Sequence, residues 1–68
     1  MDRVPVSSSN LVSVGYCPES LTLEVEFNSG TYQYYDVPSD VFDELMASSS
    51  LGSYLHHNIK SSYSYAQV

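Results

Sequence analysis

The sequence predicts an α+β fold: an antiparallel β-meander of three to four strands packed against two short C-terminal helices. Three observations predict it. Leu21, Leu23, Val25 and Phe27 alternate with Thr22, Glu24 and Glu26, the period of two that gives a strand one apolar and one acidic face. Asn28–Ser29–Gly30 then reverses the chain into a tyrosine-rich return, Thr31–Val37. Beyond Pro38, apolar residues recur at spacings of three and four, first from Val41 and again from Leu51, with three serines between the two runs.

The elements follow in order. Val4–Asn10 reads as an extended lead-in, with Pro5 suited to a sheet edge or a strand start. Leu11–Tyr16 reads as a first strand whose apolar residues do not alternate cleanly. Gly15 there marks a bulge or a close approach of another backbone. Cys17–Ser20 is a turn. After the central hairpin, Pro38 fits the first helical position and Asp40 favours the helix dipole. Val41, Phe42, Leu45 and Met46 make that helix's apolar stripe. Ser48–Ser50 stops it and caps the next helix, which places Tyr54, Leu55, Asn58 and Ile59 on one side and Lys60 at its end. The tail, Tyr63–Val68, is a fourth strand or a loose arm. The expected core is Leu21, Leu23, Val25, Phe27, Val41, Phe42, Leu45, Leu55 and Ile59.

Hairpin register decides what the tyrosines do. A two-residue turn at Ser29–Gly30 sets Phe27 opposite Tyr32 and Val25 opposite Tyr34, and both tyrosines join the core face. A three-residue loop flips the return strand, so that Thr31, Gln33 and Tyr35 face inward. The first register is favoured, because the second sets two tyrosines against Glu24 and Glu26.

Composition narrows the function. The 68 residues make one domain, residues 1–68. One cysteine, Cys17, allows no internal disulfide and fits a reducing, cytoplasmic setting. No stretch reads as a membrane span or a signal peptide. No cofactor fingerprint is present, and His56–His57 lacks metal-ligand spacing. Cys17 has no base at a recognisable spacing, and Glu24 with Glu26 reads as a solvated strand face; the chain is expected to be no enzyme. Two basic residues against eight acidic ones give a formal charge of −6. That disfavours phosphate-backbone and anionic-membrane binding and suits a protein partner with a basic surface. Exposed sheet edges make a homodimer a further expectation.

Taken together, several stretches resemble the KTSC domain, a family named for its occurrence at the C-terminus of some lysyl-tRNA synthetases. They are the lead-in Val4–Asn10, Val14–Gly15–Tyr16, Leu23–Phe27, Ser29–Gly30, Tyr32–Gln33–Tyr34, Val37–Pro38, Leu45–Met46, Ser50–Leu55 and Ile59–Lys60. The resemblance covers roughly residues 3–65. It implies a stand-alone bacterial or phage domain without known catalysis, for which RNA binding has been suggested. Members similar to this chain carry a basic tail where Ser61, Ser62, Ser64, Ala66 and Gln67 stand here.

Three functions are therefore weighed: a protein-binding module, a single-stranded nucleic-acid binder that stacks bases on tyrosines, and an acidic nucleic-acid mimic of the phage anti-defence kind. The expected contact surface is Tyr35, Tyr54, His57, Asn58 and Lys60, joined by Tyr32 and Tyr34 in the flipped register.

Overall fold

A computed structural model describes all residues, 1–68. Five strands lie in sequence order in one antiparallel sheet: β1 (Arg3–Pro5), β2 (Leu11–Cys17), β3 (Thr22–Phe27), β4 (Gly30–Tyr34) and β5 (Tyr65–Gln67). Helices α1 (Ser39–Ala47) and α2 (Leu51–Tyr54) fall between β4 and β5, and α2 runs straight into a π-helical turn, Leu55–Ile59. The class is α+β, but the sheet has five strands and not three to four. The lead-in is an edge strand pairing Arg3 with Gly15 and Pro5 with Ser13, and the tail pairs Tyr65 with Tyr34. Both are three residues long, too short to show a period of two. No helix is long and apolar enough to cross a membrane.

The hairpin turns at Asn28–Ser29. Phe27 pairs with Gly30, Val25 with Tyr32 and Leu23 with Tyr34. This is two residues away from the favoured register, and a shift of two preserves the facing. Tyr32 and Tyr34 therefore lie on the core side, while Gln33 lies opposite Glu24 on the outer side. The irregular pattern of β2 also resolves. Its pairing shifts between Leu11 and Ser13, so Val12 bulges out, 42% exposed, and Val14 returns to the core. Gly15 is the site of close approach rather than the bulge. A Cβ there would lie 2.9 Å from the Asp2 carbonyl oxygen, so glycine is what lets the N-terminal segment lie against β2.

The core consists of Leu11, Val14, Leu23, Val25, Tyr34, Val37, Leu45, Leu55 and Ile59. Leu21 is not in it. It precedes β3 with φ 55° and is 39% exposed, because the turn after β2 takes the residue that the alternation assigned to the strand. Phe27, Val41 and Phe42 pack on the core's margin, half-buried. Val37 enters through the loop before α1: its N–H donates to the Leu21 carbonyl, and its own carbonyl accepts from the Tyr16 hydroxyl. Tyr16 stacks on Phe42 with ring centroids 4.9 Å apart, tying β2 to α1.

Pro38 is the residue before α1 and not its first residue. Its carbonyl accepts from Val41 and Phe42, so its missing N–H still costs nothing. The serine run works as a stop and a cap. Ser48 Oγ donates to the Leu45 carbonyl, and Ser50 Oγ accepts from Ser53 N–H at 3.3 Å. The π-turn closes when Lys60 N–H donates to the Leu55 carbonyl, five residues back. This widened turn faces the tip of the β3–β4 hairpin.

Candidate functional site: a carboxylate-free aromatic groove

The outer face of the sheet is a closed polar network. Arg3 Nε donates to Glu24 at 2.6 Å, and its Nη1 lies 3.2 Å from Glu26. Glu24 also accepts from Gln33 Nε2 at 2.8 Å, and Glu26 accepts from Ser13 Oγ at 2.8 Å. The Gln33 hydrogen bond, then Arg3, holds the Glu24 carboxyl below its ordinary 4.5. A lowered carboxyl contributes stability that is present above the ordinary value and is lost as pH falls through the folded one. Gln33→Ala should therefore be less stable than the parent near neutral pH, with the difference shrinking below about pH 4. Thermal melts across that range check it. A difference that stays constant into acid would show that Gln33 acts by packing alone.

The inner face is different at the end that the helices leave open. Phe27, Tyr32, Tyr34 and Tyr65 line a groove of about 270 Å³ with Ser29 and Lys60. Phe27 meets Tyr32 edge-on at 5.7 Å between centroids, and Tyr65 lies 5.6 Å from Tyr34 and 6.1 Å from Tyr32. Tyr34 is the floor, 2% exposed, whereas Tyr65 is 58% exposed. Lys60 Nζ stands 5.4 Å from the Phe27 ring centroid. A second compartment adjoins it between the hairpin tip and α2, lined by Asn10, Asn28, Gly52 and His56 and sharing Phe27, Ser29 and Lys60. None of the eight acidic residues lines either compartment. Lys60 has no carboxylate partner, whereas Arg3 has two.

The expected contact residues are scattered over three places. Tyr35 is on the outer face, its hydroxyl donating to Gln33 Oε1 at 3.2 Å. Tyr54, His57 and Asn58 lie with Ser48–Ser50 and Ser53 around a separate depression beside α2. Tyr54 is engaged within the fold. Its hydroxyl donates to Glu44 at 2.7 Å, a bond that pushes its pKa up to about 12. Asn58 Nδ2 donates to the Tyr54 carbonyl. Only Lys60, Tyr32 and Tyr34 meet in the groove, and they do so in the unflipped register, with Tyr34 as floor. Phe27, Ser29 and Tyr65 were not among the expected contact residues. The sequence signal for Tyr65 is its alternation with Tyr63 in the tail, which needs a known pairing with β4 before it can be read.

His56 and His57 set their rings edge to face, 5.1 Å apart, and no third ligating residue joins them. Cys17 sits at the end of β2, where hydrogen bonds from the side chain and backbone of Ser20 lower its thiol pKa. No histidine or cation hydrogen-bonds to it.

These features define a small α+β domain in which a five-stranded meander holds a short helical pair and leaves an aromatic groove at one end. The KTSC domain family model matches residues 7–63, and the chain belongs to that family. It is 46% identical over 61 residues to an uncharacterized protein of Stutzerimonas stutzeri, covering 88% of this chain and 86% of the relative. It is 43% identical over 54 residues to a lysine–tRNA ligase of Nostoc, covering 78% of this chain but 10% of the ligase. The crystal structure of a KTSC domain protein from Yersinia pestis superposes with a TM-score of 0.96 at 37% identity, covering 98% of this chain and 96% of the other.

Proposed function

We propose that this domain is a non-enzymatic interaction module that holds an extended segment of a partner protein in the groove beside β5. The observation that carries this is the meeting of an aromatic cluster, half-buried Phe27 and Tyr32 with exposed Tyr65, and a lysine that has no carboxylate partner in its own chain. Amphipathic aromatics are what protein-contact surfaces favour, and a free lysine beside them adds charge complementarity to an acidic group. The sheet edge supports an extended ligand. Tyr35 N–H bonds the Ser64 carbonyl and Val68 N–H bonds the Thr31 carbonyl, which turns the Tyr65 and Gln67 backbone groups toward the free side of β5. A partner strand pairing there would place alternate side chains on the groove face.

The acidic-mimic reading has less support. Glu24 and Glu26 are occupied by Arg3, and Glu44 accepts from Tyr54, so these carboxylates form no single unpaired face. RNA binding would rest on Lys60 as the one lysine of the chain, with Arg3 already engaged by carboxylates.

The test compares capture of bacterial lysate proteins on immobilised parent, Tyr65→Ala and Tyr54→Ala domains, with and without ribonuclease. A protein retained by the parent and by Tyr54→Ala, resistant to ribonuclease and lost with Tyr65→Ala, is the expected result. Retention that depends on RNA, or that is indifferent to Tyr65, would overturn the proposal.

A further inference from the structure

We infer that the groove selects a segment in which a carboxylate follows an aromatic or large aliphatic side chain, so that an acidic chain recognises an acidic partner motif. The inference rests on the protein-binding reading above and concerns the chemistry of the bound segment. Net charge alone points the other way, because a chain carrying −6 invites a basic partner. The groove departs from that average. Its two compartments share Phe27, Ser29 and Lys60 as a common ridge, and the ridge separates two chemistries.

On one side stand the rings of Tyr32, Tyr34 and Tyr65, with room for one large apolar side chain. On the other stand Asn10, Asn28 and His56. Asn10 and Asn28 carry amide donors, though Asn28 Nδ2 already donates to the Ser9 carbonyl. Lys60 reaches both sides, its ammonium held near the Phe27 face and unmatched by any carboxylate. A cation without a partner, in a lining without acids, is complementary to an anion. The aromatic compartment beside it requires that the anion be attached to an apolar group. A peptide with adjacent Phe and Asp meets both requirements.

The probe is the hexapeptide acetyl-Gly-Ser-Phe-Asp-Gly-Ser-amide, titrated into the ¹⁵N-labelled full chain and compared with the same peptide carrying Asn in place of Asp. The Asp peptide is expected to shift the amide resonances of Ser29, Tyr32, His56 and Lys60. It should bind about two- to five-fold more tightly than the Asn peptide, the range for one solvent-exposed charge pair. Lys60→Gln should remove that preference, and Tyr65→Ala should weaken both peptides alike. Equal binding of the two peptides by the parent, or a preference that survives Lys60→Gln, overturns the inference. So does a hexauridylate that binds in the groove where neither peptide does. If lysate capture is lost with Tyr65→Ala but unchanged with Lys60→Gln, the protein-binding reading stands and the carboxylate preference falls.

Discussion

Leu45→Ala is expected to lower the stability of this domain by about 2–5 kcal/mol, the range for truncating a fully buried leucine. Leu45 is the one fully buried residue of α1, 1% exposed, and it joins that helix to the sheet core. A chain this short holds little in reserve, because a domain of its size hides only about 60% of its unfolded surface and native stability runs to roughly 0.05–0.15 kcal/mol per residue. At about 4–8 °C per kcal/mol for small domains, the melting temperature should fall by tens of degrees or the fold should be lost outright. Urea titration followed by circular dichroism measures it. Met46→Ala, at a half-buried neighbour, should cost visibly less. A loss at Leu45 below about 1 kcal/mol would mean that the site collapses without a cavity, and that α1 is held by Tyr16–Phe42 stacking instead.

The central architecture was legible because its signals are local. The alternation from Leu23 to Phe27, the reversal around Ser29 and the serine cap each depend on residues within a few positions of one another. The facing of Tyr32 and Tyr34 was legible for a related reason: moving a two-residue turn by one position shifts the pairing by two and so preserves parity. What local signals could not show were β1 and β5. Each is three residues long, and each exists because a longer neighbour offers an edge. Leu21 shows the opposite limit. It obeys the alternation perfectly and is still excluded, because the chain spends it on a turn with positive φ.

The groove was partly legible. Lys60 stood out as one of two cations, and the tyrosine run stood out by composition. Their convergence depends on long-range facts: the π-turn that brings Lys60 to Phe27, and the β4–β5 pairing that sets Tyr65 beside Tyr32. Tyr54 is a caution against counting aromatics. Its position on a helix near Lys60 suggested a contact residue, yet its hydroxyl is bonded to Glu44 and its ring packs on the core. Only the placement of α1 reveals that partner, ten residues earlier in the chain.

Tyr34 and Tyr65 are neighbours in one groove, floor and exposed wall, and should respond to truncation very differently. Tyr34 is 2% exposed and lies opposite Leu23 in the middle of the sheet, so Tyr34→Ala removes a buried ring and should cost about 3–5 kcal/mol. Tyr34→Phe keeps the ring and should cost about 1 kcal/mol or less. Burial, with smaller contributions from Tyr65 and Tyr32, raises the Tyr34 phenol above its ordinary 10. A raised phenol contributes stability that is present below the ordinary value and is lost as pH rises through the folded one. Tyr34→Phe should therefore resist alkali better than the parent above pH 10, which denaturation midpoints at rising pH will show. Tyr65→Ala, at a position 58% exposed, should leave the midpoint within about 0.5 kcal/mol of the parent. If Tyr65→Ala instead unfolds the chain, β5 is a structural strand, and the groove is the interior of the fold rather than a surface offered to a partner. If Tyr34→Ala stays folded, the sheet does not depend on its central tyrosine, and the groove floor is softer than its burial implies.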